Sequence, residues 1–206
     1  MDTGYPLDFT DPFHSLTRGF RGEEPRDLSG VILELATLAH RSTPWTAHGI
    51  FPSGTLRELG GAGTVDGPVE LHVLATPIIR EDRPRVRVLG RGWCRIRLAC
   101  SRCLTEFPLD LEATIDACFA AGKDPAMKNK RWQIEEDVVF LPDGVLRMKH
   151  LVEEELLLTL PMNPLCMETC AGLCAGCGAD LNHTPCACRK AKPSGPFAVL
   201  SQFHKM

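Results

Sequence analysis

Between residues 68 and 120, hydrophobic and polar residues alternate with a period of two. Val69-Glu70-Leu71-His72-Val73-Leu74-Ala75 opens the series, and Arg85-Val86-Arg87-Val88 and Trp93-Cys94-Arg95-Ile96-Arg97-Leu98 continue it. Leu109-Asp110-Leu111-Glu112-Ala113-Thr114-Ile115 repeats it once more. Successive strand side chains point to opposite faces, so this period places one set in a core and the other in water. Glu81-Asp82-Arg83-Pro84 interrupts the pattern where a turn is needed. Several such strands in succession predict an antiparallel β-meander or a partly open barrel.

The flanking patterns differ. Val31 to Ala39, VILELATLA, suits a strand or a short helix, and its period does not decide between them. Gly60-Gly61-Ala62-Gly63 reads as a turn. Val138-Val139-Phe140-Leu141 and Val145-Leu146-Arg147-Met148 flank Pro142-Asp143-Gly144, which predicts a hairpin. His150 to Leu160 predicts a helix with Leu151, Glu155 and Leu158 on one face and Pro161 at its end. The expected fold is therefore α+β, with a C-terminal helix after the meander. Residues 1–65 form a poorly defined N-terminal region, 66–162 a β-rich domain with its helix, and 163–206 a cysteine-rich segment and tail.

Composition narrows the function. A net charge of −3 argues against a protein that coats nucleic acid through a general excess of Lys and Arg. Aromatic residues make up 6% of the 206, so the core must rest on Leu, Val and Ile. The opening MDTGYPLDFTDPFH lacks the basic and apolar runs of an export signal, and no apolar run approaches the roughly 20 residues of a membrane span. The expectation is a cytoplasmic protein with no membrane association. In a reducing compartment, paired cysteines read as metal ligands before they read as disulfides.

Eight of the ten cysteines are paired: Cys100-x2-Cys103, Cys166-x3-Cys170, Cys174-x2-Cys177 and Cys186-x-Cys188. Zinc takes four thiolate or imidazole ligands in a tetrahedron, and a C-x2-C turn offers two thiolates to one ion. Gly178, directly after Cys177, permits a left-handed residue at the end of such a turn. Eight ligands make two structural zinc sites. One partition closes Cys174, Cys177, Cys186 and Cys188 locally and leaves Cys100, Cys103, Cys166 and Cys170 as a long-range staple. The other pairs the two C-x2-C turns, as a zinc ribbon does, and groups Cys166, Cys170, Cys186 and Cys188. The local partition orders less chain and is favoured on that ground. His183 is an alternative ligand. Cys94 and Cys118 stand alone in strand patterns and read as core.

Other chemistry finds less support. A dithiol oxidoreductase places its C-x2-C within a βαβ context, whereas Cys100 and Cys103 lie between strands. No H-E-x-x-H, G-x-S-x-G, phosphate loop or dinucleotide fingerprint occurs, so neither an enzyme nor a small-molecule substrate is expected. The acidic runs Glu135-Glu136-Asp137 and Glu153-Glu154-Glu155 read as solvated faces. Lys123, Lys128, Lys130, Arg131, Arg189, Lys190 and Lys192 are either phosphate contacts or ordinary solubilising charge. Phe197, Val199, Leu200 and Phe203 either pack back onto the domain or anchor a partner.

Four segments resemble the YceD family of large ribosomal RNA subunit accumulation proteins. They are Leu98-Ala99-Cys100-Ser101-Arg102-Cys103-Leu104 with Phe107; Leu151 to Leu158 followed by Leu160-Pro161-Met162; Pro164 to Asn182, closing with Cys186-x-Cys188; and Pro196 to Leu200. The resemblance covers roughly residues 68–203. It implies a non-enzymatic role in large-subunit assembly, with 23S rRNA, a large-subunit precursor or a ribosomal or assembly protein as partner. A zinc-ribbon-type protein or nucleic-acid interaction module unrelated to the ribosome is the alternative.

Overall fold

The structure is a computed structural model that describes residues 25–78, 84–123 and 138–188. Within these, residues 25–98 and 108–161 make one compact unit, and residues 99–107 and 162–188 make a second. Among the described residues, eight strands are present: β1 (Arg26–Asp27), β2 (Ile32–Glu34), β3 (Trp45–Phe51), β4 (Thr64–Ile78), β5 (Arg85–Ala99), β6 (Glu106–Ala121), β7 (Val138–Leu141) and β8 (Val145–Arg147). Among the same residues, three helices accompany them: α1 (Leu35–Ala39), α2 (Arg57–Ala62) and α3 (Met148–Thr159).

The main sheet runs β1-β3-β4-β5-β6-β7, and β2 pairs with β8 in a separate ribbon. β3–β4 and β4–β5 are antiparallel, whereas β1–β3 and β6–β7 are parallel. The fold is thus α+β around an open sheet with the meander β4-β5-β6 at its centre, as the alternation predicts. Val69, Leu71, Val73 and Ala75 of β4 are buried with Val86, Val88, Ile96 and Leu98 of β5 and Leu111, Ala113 and Ile115 of β6. Met148, Leu151, Val152 and Leu156 of α3 are buried too. The helix approaches β5 closely at Gly92, where an added Cβ would lie 2.9 Å from Val152 Cγ2.

The opposite face of the sheet is charged but balanced. Arg87 pairs with Asp116, Arg91 with Glu112, Arg95 with Asp110 and Arg97 with Asp66, at 2.6–3.4 Å. Such exposed pairs add little stability each. Their consequence is electrostatic: four strand arginines each face a carboxylate, so they build no basic patch.

Several local expectations change. VILELATLA is both strand and helix, since β2 ends at Glu34 and α1 begins at Leu35. Gly60 and Gly61 lie in α2 rather than a turn. The first turn of α2 is held by Glu153, whose Oε1 accepts the amides of Glu58 at 2.7 Å and Leu59 at 3.3 Å. Glu153 is therefore not a solvated residue; it is 6% exposed and acts as a cap from 95 positions away. Leu158 departs from the expected apolar face and stands 80% exposed. Cys94 is core, its thiol pushed up to about 11 by burial and then by Asp110, whereas Cys118 is half-buried.

The Asp143-Gly144 hairpin does not form, although its turn does. Gly144 donates to the Leu141 carbonyl at 3.0 Å, and the Asp143 carboxylate accepts the Val145 amide at 3.1 Å. The strands then part: β7 pairs parallel with β6, and β8 antiparallel with β2. With four and three residues, they make too few mutual bonds to outweigh partners elsewhere in the chain.

Candidate metal centres

The sharp connection between β5 and β6 holds the first C-x2-C turn. Cys100 N donates to Thr105 O at 2.9 Å, Leu104 N to Cys100 O at 2.9 Å and Arg102 N to Cys100 Sγ at 3.4 Å. The second turn repeats this pattern bond for bond. Cys174 N donates to Ala179 O at 2.8 Å, Gly178 N to Cys174 O at 2.8 Å and Gly176 N to Cys174 Sγ at 3.4 Å. Each turn closes on a left-handed residue: Leu104 with φ +63° and Gly178 with φ +74°. In both, the first cysteine accepts an amide on its sulfur, an arrangement that favours a thiolate.

The two turns do not share a site. Cys100, Cys103, Cys166 and Cys170 form one quartet, and Cys174, Cys177, Cys186 and Cys188 form the other. Within each quartet the sulfurs lie within 4.8 Å of one another. This is the grouping of the local partition. Sulfur–sulfur distances are 3.8 Å for Cys100–Cys170, 3.6 Å for Cys103–Cys166, and 3.4 Å for both Cys177–Cys186 and Cys174–Cys186. A disulfide would need about 2.05 Å. Four thiolates about 2.3 Å from a central ion are spaced by about 3.8 Å along each tetrahedron edge. The donor set and its spacing therefore fit a four-thiolate metal site, and each quartet could hold one metal ion.

Their surroundings differ. Cys100, Cys103 and Cys170 are buried, with Phe107, Leu165, Cys166 and Leu173 packed against them. The Cys166–Cys170 segment is fixed to the first turn by Ser101 N to Pro164 O at 2.8 Å and by the Arg102 guanidinium to Cys170 O at 2.9 Å. In the second quartet Cys177 and Cys188 are exposed.

Proton affinities within each quartet are split. Burial opposes a Cys100 thiolate, but the amides of Cys103, Cys166 and Arg102 outweigh it and draw the thiol down to about 6. Cys166 is pushed up to about 12 by burial and by its thiol neighbours, Cys103 first among them. In the other quartet, the amides of Gly176 and Cys177 draw Cys174 down to about 6. The Cys188 amide pulls on Cys186 as well, but the thiols of Cys188, Cys174 and Cys177 carry it up to about 12. Amide donors thus favour a thiolate in each set, and crowding of the sulfurs disfavours further ionisation. Binding of a cation by four thiolates must displace the protons that remain, so metal uptake would strengthen as pH rises.

His183 lies outside both quartets, exposed, with Nε2 3.9 Å from Asp180. Lys123 is exposed. Glu135-Glu136-Asp137, Lys128, Lys130, Arg131, Arg189, Lys190, Lys192, Phe197, Val199, Leu200 and Phe203 lie outside the described residues. Two contributors escape a reading of ligand spacing: Arg102, which ties the first turn to Cys170, and Asn182, whose Nδ2 donates to Cys170 Sγ at 3.4 Å. Only their place inside the cysteine-bearing segments pointed toward them.

Comparison with known proteins agrees with the cysteine pattern. The family model described as large ribosomal RNA subunit accumulation protein YceD matches residues 92–204, more than half of the chain and all eight paired cysteines. Large ribosomal RNA subunit accumulation protein YCED homolog 1, chloroplastic, of Arabidopsis thaliana is 28% identical over 162 residues, covering 66% of this chain and 49% of that protein. An uncharacterized protein of Mycobacterium leprae is 32% identical over 86 residues, 42% of this chain and 38% of its own length. The chain thus spans about half the length, or less, of these relatives. No solved structure matches it. Among the described residues, no helix is long and apolar enough to cross a membrane.

Proposed function

The chain belongs to the large ribosomal RNA subunit accumulation protein YceD family, and from that membership we propose a non-enzymatic, cytoplasmic factor that supports 23S rRNA accumulation and large-subunit assembly. The observation that carries this reading is the family match over residues 92–204, which takes in both quartets. Its partner is 23S rRNA or a large-subunit precursor, met directly or through a ribosomal or assembly protein. Cys100, Cys103, Cys166 and Cys170 hold one zinc ion; Cys174, Cys177, Cys186 and Cys188 hold the other. Zinc is favoured because two closed all-thiolate quartets are the usual form of a structural zinc site. The metal supplies folding energy and leaves no open position for a substrate.

A zinc ribbon unrelated to the ribosome draws less support, since its two C-x2-C turns share one ion and here they lie in separate quartets. Sedimentation of the tagged chain distinguishes the two. Co-migration with large-subunit precursors, and reduced 23S rRNA in cells lacking the protein, is the expected result. Slow sedimentation as free protein, with normal 23S rRNA in its absence, overturns the proposal.

A further inference from the structure

We infer that Asn182 couples the two thiolate quartets, so that filling the exposed one tightens binding at the buried one. This deepens the metal reading above and rests on it.

Asn182 belongs in sequence to the second quartet, between Cys177 and Cys186. Its side chain serves the first. Nδ2 donates to Cys170 Sγ at 3.4 Å, and Oδ1 accepts the Ala171 amide at 2.7 Å, next to that cysteine. Asp180 fixes the side chain in turn, accepting Asn182 Nδ2 at 2.7 Å and Asn182 N at 2.9 Å on the same carboxylate oxygen. Backbone bonds run beside this link. Leu181 N donates to Gly172 O at 2.9 Å, Leu173 and Asp180 form an isolated β-bridge, and Leu173 N donates to Arg102 O at 3.1 Å. A continuous set of bonds therefore leads from the segment that the second quartet closes to a ligand sulfur and a turn residue of the first.

The physical consequence follows from charge. A divalent ion with four thiolates carries a net charge of −2, and each N–H donor on a sulfur disperses it. Donors of this kind hold a ligand in place and change metal affinity about 10–100-fold. Asn182 can donate only while the 178–188 segment is closed, and four thiolates around one ion close it. Emptying the second quartet frees Asn182 and strips a donor from Cys170. Coupling of binding free energies is reciprocal, so an ion in the first quartet also favours one in the second. Burial sets the order of loss: Cys177 and Cys188 face solvent, whereas Cys100, Cys103 and Cys170 do not, so the second ion leaves first.

The full chain, reduced and metal-free, would be titrated with Co(II) and then with Zn(II) in competition. The cobalt that resists mild chelation reports the buried quartet. Asn182→Asp keeps the acceptor for the Ala171 amide and removes the donor to sulfur; Asn182→Ala removes both. A Cys186→Ser/Cys188→Ser variant empties the second quartet. Each should weaken the buried site for zinc by about 10–100-fold. Both Asn182 variants should also move its thiolate-to-cobalt charge-transfer band to lower energy, a shift that loss of structure alone does not produce. Combining Asn182→Ala with the double serine change should weaken the site no further. Additive losses, or an unchanged affinity and band in Asn182→Asp, overturn the coupling while leaving two metal sites intact. A wild-type chain showing no cobalt–thiolate band overturns the metal reading itself.

Discussion

Leu104 holds a φ of +63° while 64% of its surface stays exposed. A side chain with Cβ in the left-handed region costs roughly 1–2 kcal/mol, and exposure leaves little packing to offset it. Gly178 occupies the same place in the twin turn at no such cost. Leu104→Gly should therefore raise stability by about 0.5–1 kcal/mol, the relief being partly cancelled by the added freedom of an unfolded glycine. A lower midpoint of thermal unfolding in the metal-loaded variant would contradict this. Gly178 was legible in the sequence because glycine after C-x2-C has a known use; Leu104 was not, because a leucine gives no sign of positive φ. His72 carries a second residue-level consequence. Its ring meets those of His48 and Trp93 edge to face, at 4.2 and 4.8 Å. Burial first, and then the charge of His48, lower its pKa from the ordinary 6.5 to about 4. The unfolded chain therefore takes up this proton at a pH where the folded chain does not, so stability falls on acidification from about 6.5 to about 4 and changes no further below. In urea midpoints measured against pH, the wild type should lose stability relative to His72→Phe across that window. Parallel curves would show that His72 contributes nothing to it.

Elements show where local pattern yields to tertiary partners. The long strands β4, β5 and β6 were readable because each contains alternating runs, Val69–Ala75, Arg85–Val88 with Trp93–Leu98, and Leu109–Ile115. The shorter β7 and β8 were recognisable as strands but not by their pairing, which is decided in each case by a partner outside the turn that joins them. The short α2, with Gly60 and Gly61 inside it, forms against helix propensity. What holds it is distant: the Glu153 carboxylate on two amides of its first turn and Leu59 fully buried. No local pattern discloses a cap carried 95 residues later. Glu153→Ala should cost about 1–3 kcal/mol, since it leaves two amides unpaired in a buried place. Glu153→Gln, which keeps an acceptor oxygen, should cost less. Chemical denaturation of the pair gives the ranking, and equal losses would argue against the cap.

At the scale of the molecule, an ion in each quartet would constrain very different lengths of chain. Cys103 and Cys166 are 63 residues apart, whereas Cys177 and Cys186 are 9 apart. By the entropy of loop closure, a cross-link over the longer span stabilises by on the order of 4 kcal/mol, compared with roughly 2–3 for the shorter. Elemental analysis of the reduced protein should show two zinc ions per chain; a value near zero, or iron in their place, would refute the zinc assignment. Cys103→Ser should lower the global unfolding midpoint and leave one ion. Cys186→Ser should also leave one ion, but its main effect should be loss of amide-exchange protection around residues 174–188. If both variants lost protection over the same residues, the two sites would not be separate. The cysteines that gather into quartets were readable from spacing, and their grouping was favoured from loop entropy. The unequal exposure of the quartets was not, because burial depends on Phe107, Leu165 and Leu173 meeting around one of them.

The 63-residue span has a temporal meaning as well. A ribosome that adds about 5–20 residues per second delivers Cys166 roughly 3–13 s after Cys103. During that interval the first turn can offer an incoming ion only two of its four sulfurs. The second turn waits much less, since Cys186 follows Cys177 by 9 residues, within about 2 s. The more deeply enclosed quartet is thus the one whose half-formed set of sulfurs stays open to its surroundings for longest, so metal or oxidant would have the longest access to it in those seconds.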